Sequence, residues 1–588
     1  MFKQTTKLNL LMLLIFMALF LAACGAPKSE SVSGGADAAV TSPELSDGRA
    51  SEEALSETVS VNSTQSANVR VHTNQEVLSV AVSMDSAQPA NARAQTTQLA
   101  LSPASPAESN AGGKTSINDA AYDMTFFENY GVNPFVDTED DHLSTFAMDV
   151  DTASYAVARR FVTDGYMPDP DSIRVEEFIN YFDHAYEPPT SDAFAIHLEG
   201  APSPFGTERH NLVRVGLQGK VIDDSERKDA SLVFVIDVSG SMDQENRLGL
   251  VKETLRLLLD ELRSTDEVGI VVYGSRAYTI LEPTRATERG DILNAINQLR
   301  PDGSTNAEEG LILGYQMAVR MVNQAQQGDR IVRLILCSDG VANVGNTGPD
   351  SILGRVRDYV DQSITLSTVG FGMGNYNDVL MEQLANDGNG NYRYVDTLDE
   401  AKRVFVENLT GLLQVIAKDA KVQVEFNQDV VRSYRLLGYE NRDVADEDFR
   451  NDHVDAGEVG AGHSVTALYE IKLEQDVDAT SDTPIATVYV RYEEIENADV
   501  KELSQVLTLG DLHGTFAASS PTFKLDATVV EYAELLRESY WAQDGSFADV
   551  LTLAQEVKSL FANDAERAED VVEFVDLVAQ AERIANGG

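Results

Sequence analysis

Asp237, Ser239 and Ser241 alternate through DVSGSM directly after the apolar run LVFVI. Thr305 lies in PDGSTNAEEG just before a helix-like stretch, and Asp339 follows a second apolar run in LILCSD. Carboxylates and hydroxyls are hard oxygen donors, suited to Mg2+, Mn2+ or Ca2+ and ill suited to softer metals. Alternate residues past a strand end can direct their oxygens at one point. Three such loops can bring five oxygen-bearing side chains to one rim of a sheet, which is the chemistry of holding a divalent cation.

The surrounding rhythm supplies that sheet. Across 229–418 the apolar strands LVFVI, VGIVVY, IVRLILC, ITLSTVGF and YRYV alternate with amphipathic helices, among them 247–262, 291–299, 307–322 and 398–416. Such alternation predicts a parallel sheet covered by helices on both faces, with ligands at the carboxyl ends of the strands. Cys337 ends one of these strands and reads as a buried, inert thiol.

The flanks follow other periods. Within 118–228, DTASYAVARRFVTDGY and DSIRVEEFINYF show helical spacing, the second opening on Asp171 and Ser172 as a cap. AFAIHLEGA and NLVRVGLQGK then alternate at period two. Period two returns through 419–520 in AKVQVEFN, YRLLGYE, SVTALYEIKLE, IATVYVRYEE and ELSQVLTLG. Helical spacing closes the chain across 521–588, near 527–539, 546–561 and 565–584. The fold class expected is α/β: a Rossmann-like doubly wound domain inserted between β-rich segments that join in one sandwich, with C-terminal helices.

The first residues read as an address. Lys3 and Lys7 precede an apolar run over 8–21, and the chain continues Leu21-Ala22-Ala23-Cys24. The run falls short of the roughly 20 residues that span a bilayer. The segment 1–23 resembles a bacterial lipoprotein signal peptide, which implies cleavage before Cys24, lipid on its thiol, and a place in the cell envelope facing the periplasm or exterior. Residues 24–117 are rich in Ala, Ser, Thr, Asn and Gln and read as a disordered low-complexity tether. With 45 Lys+Arg against 95 Asp+Glu, the net charge of −50 repels phosphate backbones, which excludes nucleic acid as a partner.

Asp-x-Ser-x-Ser after a buried strand, followed in order by Thr and Asp, resembles the von Willebrand factor type A (VWA) domain. That likeness implies a metal-ion-dependent adhesion site at Asp237, Ser239, Ser241, Thr305 and Asp339. It also implies a divalent ion, foremost Mg2+ with Mn2+ and Ca2+ as alternatives, and a coordination position left for an acidic group of a protein ligand. STFAMDVDTASYAVARRF, RVEEFINYF, LLGYENR and DAGEVGAGHSVTALYEI are similar to the flanks of a family of bacterial VWA-domain lipoproteins. On this reading the protein is a membrane-anchored adhesion protein and not an enzyme. Two alternatives stand beside it. One is a scaffold or assembly factor of an envelope complex, in which the metal only organises loops. The other is a phosphatase built on DVDT, with Asp149 attacking phosphorus and Asp151 handling the proton. The second lacks a lysine anywhere between Lys114 and Lys220, and Asp151 or Thr152 reads more simply as a helix cap.

Overall fold

The chain enters its sheets through two short strands, β1 (Val136–Asp137) and β2 (Leu143–Ala147), and two helices, α1 (Ala153–Thr163) and α2 (Val175–Ile179). Strands β3 (Phe194–Pro202) and β4 (His210–Gly219) form an antiparallel pair. The computed structural model describes residues 127–587 apart from 149, 206–209, 325–329, 341–348, 361, 363, 373–376 and 476–479. The segment 1–23 expected to be a signal peptide, Cys24, the segment 24–117 expected to be a tether, and Asp149 therefore lie outside the described residues.

The α/β unit follows. Its elements are β5 (Asp229–Asp237), α3 (Arg247–Glu261), β6 (Glu267–Tyr273), β7 (Ala277–Arg285), α4 (Arg289–Gln298), α5 (Ala307–Gln324), β8 (Arg330–Ser338), α6 (Pro349–Val360), β9 (Ile364–Phe371), α7 (Asp378–Asp387) and β10 (Tyr392–Val395). The sheet order is β10-β9-β8-β5-β6-β7, and every neighbouring pair is parallel except β6 with β7. Strand β5 is buried on both faces, which is why LVFVI reads as a continuous apolar run rather than an alternating one. Val233 and Val235 join one core with Leu311, Tyr315 and Leu384, while Leu232, Phe234 and Ile236 join the opposite core with Val251, Leu255 and Ile296. Cys337 is buried and free, as expected.

A helix expected across 398–416 is broken. Helix α8 (Leu398–Lys402) passes into a π-turn over Arg403–Glu407, and α9 (Leu409–Leu413) ends the run. Residues 415 and 416 instead begin β11 (Val415–Phe426), because Val415 pairs across to Gly460. The cap expected at Asp171 and Ser172 is also corrected: Asp169 caps a 3-10 turn over Pro170–Ser172, and α2 starts from Arg174. Of the two residues expected to cap α1, Thr152 holds the N-cap position. Thr152 makes no side-chain cap bond, and the Ser154 N–H is taken by Glu177 Oε2 at 2.8 Å.

Strands β12 (Val431–Leu437), β13 (Gly457–Gly460), β14 (Ser464–Leu473), β15 (Pro484–Glu494) and β16 (Val500–Thr508) complete two antiparallel sheets. One runs β1-β12-β14-β4-β3 and so mixes strands from both sides of the α/β unit; the other runs β13-β11-β15-β16, with β2 also pairing β11. Val213, Val215 and Leu217 of β4 share a core with Val422, Val424 and Val488 of the second sheet. Leu212, on the other face of β4, packs with helices α1 and α2 and with α10 (Pro521–Leu536), α11 (Phe547–Leu560) and α12 (Ala568–Ala585). The α/β unit is thus an insertion between β4 and β11 of a sandwich backed by helices. Among the described residues no helix is long and apolar enough to cross a membrane.

Candidate functional site

Numbered from its own first strand, the α/β sheet reads 3-2-1-4-5-6 across, and the order reverses between β5 and β8. At such a switch point the loops leaving neighbouring strands diverge to opposite faces and open a crevice at the carboxyl edge. Asp237 ends β5 and Asp339 follows the last residue of β8, so both carboxylates stand at that crevice. Both are fully buried.

Each carboxylate is partly satisfied. Asp237 Oδ1 accepts the Ser239 N–H at 2.7 Å, and its Oδ2 accepts the Ser338 hydroxyl at 3.1 Å. The hydroxyls of Ser239 and Ser241 lie 3.0 Å apart. Arg247 Nη1 donates to Asp339 Oδ2 at 2.9 Å, while Asp339 Oδ1 is shut off from solvent with no hydrogen-bond partner. Burial and then the nearby Asp339 charge push the Asp237 carboxyl up to about 7. A pair of buried carboxylates short of positive charge, with an orphaned oxygen and two adjacent hydroxyls, fits a hard divalent ion. Among the described residues no group of three or more His, Cys, Asp or Glu side chains is placed to hold a metal, so hydroxyl, backbone or water oxygens would complete any shell.

Thr305 arrives on a different loop, tied in through its backbone. The Asp302 N–H donates to Val238 O, the Gly240 N–H to Gly303 O at 3.0 Å, and the Asn306 N–H to Gly274 O at 3.0 Å. These bonds fasten the loop before α5 to the loops after β5 and β6. Gly274 makes the approach possible, since a Cβ there would lie 2.1 Å from the backbone oxygen of Asp302. Thr305 itself is buried, and its side chain bonds to none of the other four candidates. The loop after β9 also reaches this rim: the Asn377 N–H donates to Gly340 O at 3.1 Å.

Spacing pointed to the five donors but missed their supports. Ser338 stands beside Asp339 in the sequence and could have been suspected from adjacency. Arg247 opens the helix after the serines with no spacing to mark it. Asp151, the acid of the phosphatase alternative, is buried and accepts the Tyr392 N–H at 2.9 Å from β10, with Arg442 3.4 Å from its other oxygen. That carboxylate is engaged in holding β10 against the segment before α1.

The family described as von Willebrand factor type A domain matches residues 231–412, von Willebrand factor matches 121–214, and "Uncharacterized protein YfbK, C-terminal" matches 411–584. The chain is 35% identical over 455 residues to "Uncharacterized protein YfbK" of Escherichia coli (strain K12), covering 74% of this chain and 77% of that protein. The chain belongs to the YfbK family. Like the family's namesake, it is a VWA-containing bacterial protein, and its post-insertion strands and C-terminal helices are the YfbK C-terminal region. Inter-alpha-trypsin inhibitor heavy chain H3 of Pongo abelii is 24% identical over 265 residues, 42% of this chain and 29% of that one. Among solved structures, a von Willebrand factor type A protein from Catenulispora acidiphila matches with TM-score 0.37 at 14% identity, covering 69% of this chain and 89% of that one. VWA domains are often metal-dependent protein-interaction modules.

Proposed function

We propose that this YfbK-family protein is an envelope adhesion protein that presents a divalent ion, Mg2+ foremost, to an acidic group on a protein ligand. The observation that carries the reading is the orphaned Asp339 Oδ1 beside buried Asp237 at the switch point of the sheet. The hydroxyls of Ser239, Ser241 and Thr305 would bind the ion directly or through water, with Asp237 and Asp339 supplying charge. An ion held mainly by neutral hydroxyls stays electrophilic and can accept a carboxylate from outside. Nothing in this role requires catalysis.

The test is a crosslinking pull-down from envelope extract with the full chain in detergent, with Mg2+, with EDTA, and as Asp237→Ala. Capture by the wild type in Mg2+ alone is the expected result, with circular dichroism confirming that the variant is folded. Equal capture in all three conditions would reject the metal-bridged mechanism.

The anchor is part of the same proposal. The lipobox-like Leu21-Ala22-Ala23-Cys24 supports lipidation at Cys24 and attachment to a membrane, with the folded part facing the periplasm or exterior. Fractionation should find the wild type with membranes and Cys24→Ala in the soluble fraction; retention of the variant on membranes counts against the anchor.

A scaffolding role is the second reading. Arg159 bonds Asp396 and Glu400 at 2.5 and 2.8 Å, and Arg403 pairs with Asp570, so the insertion is pinned to its flanks by buried or half-buried ion pairs. Capture that survives EDTA and Asp237→Ala would favour it.

A further inference from the structure

Arg247 is the first residue of α3, directly after the 3-10 turn Gly240–Asn246 that carries Ser241. It is 4% exposed, and it is held from both sides. Asp339 Oδ2 takes its Nη1 at 2.9 Å, and Gly372, at φ +84°, leaves so little room that a Cβ there would lie 2.3 Å from its Nε. A fixed positive charge is therefore built into the floor of the candidate site.

The four carboxylate oxygens of Asp237 and Asp339 are consequently not equivalent. Asp237 offers two oxygens already engaged by the Ser239 N–H and the Ser338 hydroxyl. Asp339 gives one oxygen to the guanidinium and keeps one that has no partner. An entering divalent ion meets only that single unclaimed carboxylate oxygen and must also approach a resident cation. Without the guanidinium, by contrast, two buried carboxylates would face each other with no internal counter-charge, and the cation-free fold would suffer.

We propose that Arg247 sets the cation affinity of this site, holding Asp339 Oδ2 so that the fold stands without an ion and the ion that binds remains exchangeable. The inference rests on the reading of the site as a cation centre given above. It assigns the arginine a tuning role, neither ligand nor catalyst. Like charges close together in a poorly solvated site repel strongly, so removing one of them strengthens binding of the other. Lysine at this position retains the charge but loses the planar fork that matches a carboxylate, and its effect should be intermediate.

Isothermal titration of Mg2+ and of Mn2+ into the EDTA-stripped full chain tests this with wild type, Arg247→Lys and Arg247→Gln. The expected order of affinity is wild type weakest, Arg247→Lys next and Arg247→Gln tightest, with at least a tenfold gain for the glutamine variant. Stripped Arg247→Gln should also melt below stripped wild type, and saturating Mn2+ should close that gap. An affinity of Arg247→Gln equal to or weaker than wild type overturns the inference. Should Arg247→Gln fail to fold with or without cation, Arg247→Lys decides, and binding no tighter than wild type overturns it. Wild type that binds neither ion rejects the cation centre itself, whereas wild type that binds with unchanged affinity in the variants rejects only the role of Arg247.

Discussion

Replacing Arg174 by methionine lowers the stability of the folded chain by about 3–5 kcal/mol, the cost of stripping the counter-charge from buried carboxylates. Arg174 is 4% exposed; its Nε donates to Glu177 and its Nη1 to Asp378 Oδ2 at 2.7 Å, with both acceptor residues at 1% exposure or less. Neither acid is spare. Glu177 Oε2 holds the first turn of α1 through the Ser154 N–H, and Asp378 Oδ1 accepts the Tyr392 hydroxyl at 2.5 Å. Methionine fills the volume of the arginine stem, so the lost packing is small and the loss reports the uncompensated charge. Denaturant unfolding should be compared with Arg256→Ala, whose pairing with Glu253 on the open surface of α3 should be worth under about 1 kcal/mol. An Arg174→Met chain within 1 kcal/mol of wild type would refute this account of how the flank grips the α/β unit.

The same ion pair links the flank to the candidate site. Asp378 opens α7, and its neighbour Asn377 donates its N–H to Gly340, the residue after Asp339. Through these two residues Arg174, from the segment before α2, steadies the loop that borders the crevice. The insertion is therefore not a bead on a string. The rim that carries the candidate site is steadied partly by the host domain.

How much of this could be read from the residues depended on which physical signal each element carries. Strands buried on both faces, such as β5 and β8, announce themselves as unbroken apolar runs, and their order with the helices between them made the doubly wound sheet and its site legible. Strand β7 left no such trace. It is an edge strand containing Pro283, antiparallel to β6 and only half-buried along most of its length, so neither face demanded a pattern. Strand β13, at four residues, is too short to show a period. The break at Arg403–Glu407 was hidden because its apolar spacing still suits a helix; the pairing of Val415 with Gly460 ends the helical run, and strand pairing is non-local. The five donors of the site were visible because their spacing is local within each loop. Arg247 and Gly274 act across loops, and only packing reveals them, whereas Ser338 is marked by nothing but its adjacency to Asp339.

Acid should weaken the fold through His463, with a sign that can be worked out from its surroundings. Burial, and then the charges of Arg393 and Arg333, push this imidazole from its ordinary 6.5 down to about 3. Its Nδ1 is shut off from solvent with no partner, so no acceptor waits for a new proton. Between those two values the unfolded chain binds a proton that the folded chain refuses, and stability therefore falls as pH drops below about 6.5 toward 3. At about 1.4 kcal/mol per unit, and discounted because the ring is only half-buried, the loss by pH 4.5 is on the order of 2 kcal/mol. Other groups oppose it. Glu458 and Glu531, both pushed up to about 8 mainly by burial, stay protonated in the fold and favour it at low pH. The raw pH curve mixes these terms, and the difference between wild type and His463→Gln separates them. Denaturant midpoints measured from pH 4 to 7.5 should converge as pH falls, the glutamine variant losing less on acidification because it has no proton to refuse. Parallel curves for the two proteins would show that His463 takes up its proton equally in both states and would discard this source of acid sensitivity.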